Sequence, residues 1–219
     1  RQQFVDGEPG GHGVDIVVEH AERRLPVADV GIGGGGAYGF VYERHAVGLT
    51  TRVVRVRGLS TALSGLTIGL LTDVHRSRWV SADDVARGVQ ALMSARPDII
   101  VLGGDYVTWG DRRYVEPSAE ALEGLAAPHG VFAVLGNHDD DHDMPAALAS
   151  RGFAVLKDAR TRLMIRNEPL ELAGIRFWTR RLSDIASVVR GAKGAVVLLA
   201  HDPRRLTEAA ALNVPLVLS

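Results

Sequence analysis

Three short apolar runs, LTIGLLT, IIVLGG and VFAVLG, recur between Leu66 and Gly136 with helix-like stretches between them. That alternation constrains the fold more than anything else in the chain. Parallel strands cannot be joined by a tight hairpin and need a crossover of a dozen or more residues, usually a helix, so strand, helix, strand at this spacing predicts an α/β sheet with helices on its faces. The first crossover, SADDVARGVQALMSARP, is well marked: Ser81 is an N-cap with Asp84 three residues on, Val85, Val89, Leu92 and Met93 share a face, and Pro97 stops it. PSAEALEGLAAP and MPAALASR predict the next two helices.

Upstream, TRVVRVRGL predicts an edge strand kept soluble by Arg52 and Arg55. Downstream, FAVL, RLMIR and LELAGI leave no room for helices between them, which predicts a second, partly antiparallel sheet over residues 152–175. A helix from about Ser183 to Arg190, the strand AVVLLA, a helical segment beginning at HDPRR and a last strand VPLVLS follow. Residues 1–48 are Gly-rich and aperiodic, and they predict an N-terminal extension that adds little to the core of a domain spanning 49–219. Within that extension Leu25–Tyr42 comes nearest to a membrane segment, but Asp29 and Gly33–Gly36 make it a poor one. Arg23 and Arg24 leave open either the remnant of a twin-arginine export signal or a flexible extension, and localisation open between cytoplasmic and membrane-associated. The sequence begins at Arg1, which reads as a fragment or a processed form.

Net charge is −1, so no global field favours nucleic acid, and with no cysteine any metal must sit on Asp, His, Asn or Glu. Four apolar strands end in such residues. LLTDVH ends in Asp73 and His75, VLGGD in Asp105, AVLGNHD in Asn137, His138 and Asp139, and VLLAH in His201. Ligands in α/β sheets bind where loops leave the carboxyl ends of strands. Asp73, Asp105 and Asn137 are spaced 32 positions apart, about one strand-helix-strand unit, which predicts that their loops converge. Carboxylate, amide and imidazole without sulfur suit Mn²⁺, Fe or Zn²⁺. Two such cations about 3.5–4 Å apart can clamp a phosphate and lower the pKa of a bound water. Asp105, central in the set, is the expected bridge. Arg76 and Arg78 either meet a substrate phosphate or face solvent, and Trp79 and Trp109 either line the cleft mouth or pack half-buried.

The ordered set DVH, GGD, GNHD and AHDP resembles the calcineurin-like metallophosphoesterases, above all a membrane-associated bacterial branch, over about Thr51–Ser219. The resemblance implies a four-layered α/β/β/α sandwich, incomplete at its C-terminus, and a phosphodiesterase that uses a metal-activated hydroxide. It implies one cation on Asp73, His75 and Asp105 and a second on Asp105, Asn137 and His201. His138 would then stabilise the phosphoryl oxygens or protonate the leaving group, with Asp139 orienting its ring. The substrate would be a phosphoester, with lipid or cell-envelope esters and peripheral membrane association in view. Family members continue into a GHxH segment where this sequence ends at Ser219, so two ligands are expected to be missing and activity to be low. GIRFWTRR stands where the branch often carries an acidic pair. The alternative expectation is a catalytically impaired remnant that serves as a binding or scaffolding module.

Overall fold

The computed structural model describes residues 13–23 and 47–219. Arg24, the Leu25–Tyr42 stretch and the other residues of the extension not named here lie outside the described residues. Among the described residues ten strands form two sheets. The first is ordered β2-β1-β3-β4-β5-β6, with β1 Gly13–Arg23, β2 Val47–Arg57, β3 Thr67–Leu71, β4 Ile99–Leu102, β5 Val131–Ala133 and β6 Ala154–Val155. The second is ordered β10-β9-β8-β7, with β7 Ala159–Ile165, β8 Glu168–Ile175, β9 Ala195–Ala200 and β10 Leu216–Leu218. Helices α1 (Ala82–Ser94), α2 (Val115–Ala121) and α3 (Asp143–Ser150) connect strands of the first sheet, and α4 (Leu182–Val189) and α5 (Leu206–Ala211) those of the second.

The layers follow from the period-two alternation of strand side chains. Ile68, Leu70, Ile99, Val101, Phe132 and Val134 point inward against Leu170, Leu172, Val197 and Leu199 of the other sheet. Their neighbours Leu71, Ile100, Leu102 and Ala133 point outward against Val85, Val89 and Leu92 of α1 and Met144 and Leu148 of α3. Ala173, Ile175, Val196 and Leu198 pack in the same way against Ile185 and Val188 of α4. Helix, sheet, sheet and helix are thus glued by three apolar layers, the expected four-layered α/β/β/α arrangement. Each fully buried aliphatic contributes about 1.5–3 kcal/mol, so these layers outweigh helix propensity in holding the sandwich. α1 begins where the sequence marks it: the Ser81 hydroxyl accepts from the Asp84 N–H at 3.1 Å and the Asp84 carboxylate accepts from the Ser81 N–H at 2.8 Å.

Two expectations need correction. Residues 13–23 are not an appendage to the core: they form β1, antiparallel to β2 and parallel to β3, with Val14, Ile16 and Val18 buried between the sheets. β2 is indeed an edge strand, and β1 fills the position between it and β3. The FAVL segment joins the first sheet as β6, so the antiparallel pair of the second sheet is β7 and β8 alone.

The outer face of β8 carries one buried carboxylate. Glu171 accepts from Arg162 Nε at 2.8 Å and the Lys193 N–H at 3.2 Å, with Arg160 Nη1 at 3.3 Å. Burial raises the pKa of this acid, but the Arg162 bond, the amide and the Arg160 charge outweigh it and hold the carboxyl below its ordinary 4.5. A lowered folded value means that stability is fully present above the unfolded pKa and lost as pH falls through the folded one. Glu171→Gln is therefore expected to cost roughly 1–3 kcal/mol at neutral pH and to flatten the acid limb. Denaturant titrations at stepped pH check this, and equal acid limbs in both proteins would contradict it.

Candidate metal centre

β3, β4 and β5 lie side by side and parallel, and their register brings three carboxyl ends to one edge. The loop after β3 stays zipped to the loop after β4: the Asp73 N–H donates to the Gly104 carbonyl at 3.0 Å, that of His75 to Asp105 at 2.9 Å and that of Arg76 to Tyr106 at 2.8 Å. This pairing lays DVH against GGD. Asp73, His75 and Asp105 all have left-handed φ, at 55°, 48° and 56°, a region non-glycine residues seldom occupy. Three such residues in one centre are backbone strain held by the surrounding fold, as functional sites often show. The fourth contribution crosses from the other sheet, where β9 ends at Ala200 and delivers His201.

Asp105 is the focus. Its side chain is 5% exposed. Its Oδ1 accepts the His138 N–H at 2.9 Å. Its Oδ2 faces three imidazoles, with His201 Nε2 at 3.3 Å, His75 Nε2 at 3.5 Å and His138 Nε2 at 3.9 Å. Asp73 Oδ1 lies 3.7 Å from the same His75 nitrogen. Gly136 makes the approach of the two loops possible, since a Cβ there would fall 2.0 Å from Asp105 Oδ1. The Gly103 carbonyl accepts from His201 Nδ1 at 2.9 Å, which orients the ring with Nε2 toward Asp105.

The electrostatics are those of a pocket built around positive charge. Burial opposes the charged form of His201, but its bond to Asp105 and the charges of Asp105 and Asp73 raise its pKa to about 9. His75 is raised chiefly by its contact with Asp73, against burial. Burial pushes Asp105 and Asp73 upward, yet the facing imidazoles, together with the His138 amide for Asp105 and the Thr72 hydroxyl for Asp73, hold both below the usual carboxylate range. Ligand atoms of Asp73, Asp105 and His201 all lie within 4.8 Å of one another. Two carboxylates and imidazole lone pairs this close fit a divalent cation by donor type and by charge.

Asp73, His75, Asp105, His138 and His201 are thus brought together. Asn137 leaves the same edge, exposed, between Gly136 and His138. Two roles need correction. Asp139 does not orient the His138 ring: its Oδ2 accepts the Asp105 and Gly136 N–H groups at 2.8 Å each, and its Oδ1 accepts that of Tyr106 at 2.8 Å. It ties the GGD and GNHD loops together. Arg76 does not reach toward a phosphate, because its Nη1 donates to the Ser77 and Val80 carbonyls at 2.6 Å each and its guanidinium lies over Tyr114. Arg78 is exposed and stacks on Trp79.

Two contributors were not read from the sequence, and a third, Trp109, was read as either lining the cleft mouth or packing half-buried. Thr72 donates its hydroxyl to Asp73 Oδ2 at 2.8 Å. Phe177, from GIRFWTRR, places its ring 6.0 Å from that of His201. Trp109, 85% exposed rather than half-buried, sets its ring 4.6 Å from that of His138. Only Trp109 had a signal, the Trp-Gly turn dipeptide four residues after Asp105.

The sequence model of the calcineurin-like phosphoesterases matches residues 66–205, which span all four strand-end segments. The chain belongs to the calcineurin-like phosphoesterase family. Among curated members, the phosphodiesterase YaeI of Escherichia coli is 32% identical over 110 residues, covering 48% of this chain and 41% of its own. A metallophosphoesterase of Aquifex aeolicus is 32% identical over 149 residues, 63% of this chain and 56% of its own. A zebrafish (Danio rerio) transmembrane protein with a metallophosphoesterase domain is 27% identical over 189 residues, 78% of this chain and 43% of its own. The chain spans about half the length of these calcineurin-like relatives. Among the described residues no helix is long and apolar enough to cross a membrane.

Proposed function

We propose that this chain is the core of a metal-dependent phosphodiesterase. The observation that carries the reading is the convergence of three imidazole nitrogens on one buried carboxylate oxygen, Asp105 Oδ2, with a second carboxylate alongside. Asp73, His75 and Asp105 would hold one divalent cation, and Asp105, Asn137 and His201 a second, with Mn²⁺, Fe and Zn²⁺ all compatible with these donors. When bound, the cations supply Lewis acidity toward the phosphoryl group and lower the pKa of bound water.

The chain's own residues do the rest. Asp105 fixes the spacing of the two halves of the site, because its carboxylate is locked by the His138 amide on one oxygen. The Gly103 carbonyl holds the His201 ring so that Nε2 is presented as a donor atom. Trp109 and Phe177 stand edge-on to two of the imidazoles, His138 and His201. A diester is favoured over a monoester because the E. coli relative is a phosphodiesterase. The open mouth, with Trp109 and Trp178 exposed, suits an ester with a bulky apolar group, in keeping with lipid or envelope substrates.

The test is cleavage of a bis-aryl phosphate by the purified chain with and without Mn²⁺, alongside metal analysis. Mn²⁺-dependent release of the phenol with bound cation is expected. A folded chain that takes up no divalent ion would overturn the reading and leave a binding module in its place.

A further inference from the structure

The chain has three tryptophans, and none of them is in the core. Trp79, Trp109 and Trp178 are 58%, 85% and 68% exposed. Indoles are highly buried on average in folded domains, so packing does not account for all three standing in water. Their positions share an origin. Trp79 lies in the loop after β3 and Trp109 in the loop after β4, at the edge that carries Asp73 and Asp105. Trp178 follows β8, which runs parallel to β9 with Ile175 beside Ala200, so it leaves at the edge that delivers His201. The Trp109 ring is 4.6 Å from that of His138, and the Trp178 ring is 4.7 Å from Phe177, itself 6.0 Å from His201. The indoles therefore rim the metal centre.

Cations accompany them. The Arg78 guanidinium lies 4.4 Å over the Trp79 ring, and that of Arg180 lies 5.5 Å over Trp178 and 5.1 Å over Phe177. Arg181 follows, exposed. None of these three arginines has an acidic partner among the described residues. The acids of the neighbouring loops are engaged: Asp111 by Arg113 at 2.7 Å, Asp141 by Lys157 at 3.4 Å and Arg176 at 3.5 Å, Asp143 by Arg112, and Asp140 by the His142 and Asp143 N–H groups. Asp83 and Asp184 sit in the first turns of α1 and α4, where helix amides offset their charge. Outside the metal centre, the uncompensated charge of the rim is positive.

We propose that this rim docks the chain on an anionic bilayer surface, with the three indoles at headgroup level, Arg78, Arg180 and Arg181 against lipid phosphates, and the metal centre facing the membrane. An indole suits that boundary because its body is apolar and its N–H polar. Apolar contact and attraction to anionic lipid add together at such a surface. Guanidinium groups on the Trp79 and Trp178 ring faces occupy the platforms on which nucleobases would stack, which favours a bilayer over single-stranded nucleic acid. That a docked lipid phosphate is also the one cleaved rests on the phosphodiesterase reading; the docking does not.

Tryptophan fluorescence tests this directly, because the chain has no indole elsewhere. The full chain, without added cation, is titrated with vesicles of phosphatidylglycerol and phosphatidylcholine in equal parts, and with vesicles of phosphatidylcholine alone. The anionic vesicles are expected to shift the emission to the blue, bromine on their acyl chains to quench it, and salt at about 0.5 M to reverse both. Neutral vesicles should act far more weakly. An arginine near an anionic surface is worth roughly fivefold in partitioning, so Arg78→Gln, Arg180→Gln and Arg181→Gln combined should lose on the order of 100-fold. All three side chains are exposed, and the melt of the variant should match that of the wild type. Emission unmoved by anionic vesicles, an equal response to both kinds, or undiminished binding by the triple variant would overturn the proposal. So would a single-stranded oligonucleotide that shifts the emission where vesicles do not. These readouts need no turnover, so they stand apart from any failure of the phosphodiesterase reading, which cleavage of the bis-aryl phosphate reports.

Discussion

Asp105→Asn is expected to lower Mn²⁺-dependent cleavage of a bis-aryl phosphate by roughly 10³-fold or more while the chain stays folded. The substitution keeps the shape of the side chain and an amide oxygen for the His138 N–H now bonded to Oδ1 at 2.9 Å. It removes the charge from the oxygen that His201, His75 and His138 face at 3.3, 3.5 and 3.9 Å. A carboxamide has one good donor oxygen, so it cannot bridge two cations as a carboxylate can. His201 also loses the partner that raises its pKa to about 9. The check is the rate with Mn²⁺ beside a thermal melt, and an undiminished rate in a folded variant would remove Asp105 from the centre.

Gly136→Ala is expected to damage both the fold and the site. Its Cβ would meet Asp105 Oδ1 at 2.0 Å and the Asp105 backbone nitrogen at 2.6 Å. Neither atom is free to yield, because Oδ1 is held by the His138 N–H and the Asp105 N–H by Asp139 Oδ2 at 2.8 Å. The facing loop offers no relief: Gly104, at φ 102°, already brings its own backbone against Gly136, and a Cβ there would fall 2.5 Å from the Gly136 nitrogen. Overpacking of this kind costs about 1–3 kcal/mol or more. Because the clash pushes on Asp105 itself, divalent affinity should fall at least tenfold, as it does when the groups that orient ligands are disturbed. Gly88→Ala is the matched control. Gly88 lies within α1, its Cβ would meet only Leu71 at an ordinary 3.7 Å, and the change should raise stability by about 0.5–1 kcal/mol. Equal behaviour of the two variants in melts and Mn²⁺ titrations would show that the loop contact is not what Gly136 serves.

The layered fold was legible from Thr51 onward because two independent patterns agree there. Continuous apolar runs such as Ile99–Leu102 and Ala195–Ala200 mark strands buried on both faces, and caps such as Ser81 and stops such as Pro97 mark the helices between. The position of β1 was not legible. GVDIVVEHAER does alternate, with Val14, Ile16 and Val18 on one face, but it lies in Gly-rich surroundings and pairs with β2 across a stretch far longer than a hairpin turn. Nothing local tells such a strand that it will be inserted between β2 and β3.

At the centre, the ligand-type residues were legible because they sit where strands must end, and the parallel register does the assembly. The second-layer roles were not. Asp139 reads in sequence as a partner for the adjacent His138, but a buried carboxylate is best satisfied by several backbone N–H groups, and the GGD loop offers them. Arg76 next to DVH reads as a phosphate contact, yet the turn after β3 needs a donor for the Ser77 and Val80 carbonyls and takes this one. Main-chain demand, which side-chain patterns do not record, decides both cases.

The most direct test of the centre is a crystal of this chain soaked in Mn²⁺ and measured at the manganese absorption edge. Anomalous peaks at ligand distance, about 2.0–2.3 Å, from Asp105 Oδ2, with Asp73 and His75 to one side and His201 to the other, are the predicted result. A bound manganese elsewhere with none at Asp105, or an ordered site in which Asp105 and His201 have moved apart, would contradict it.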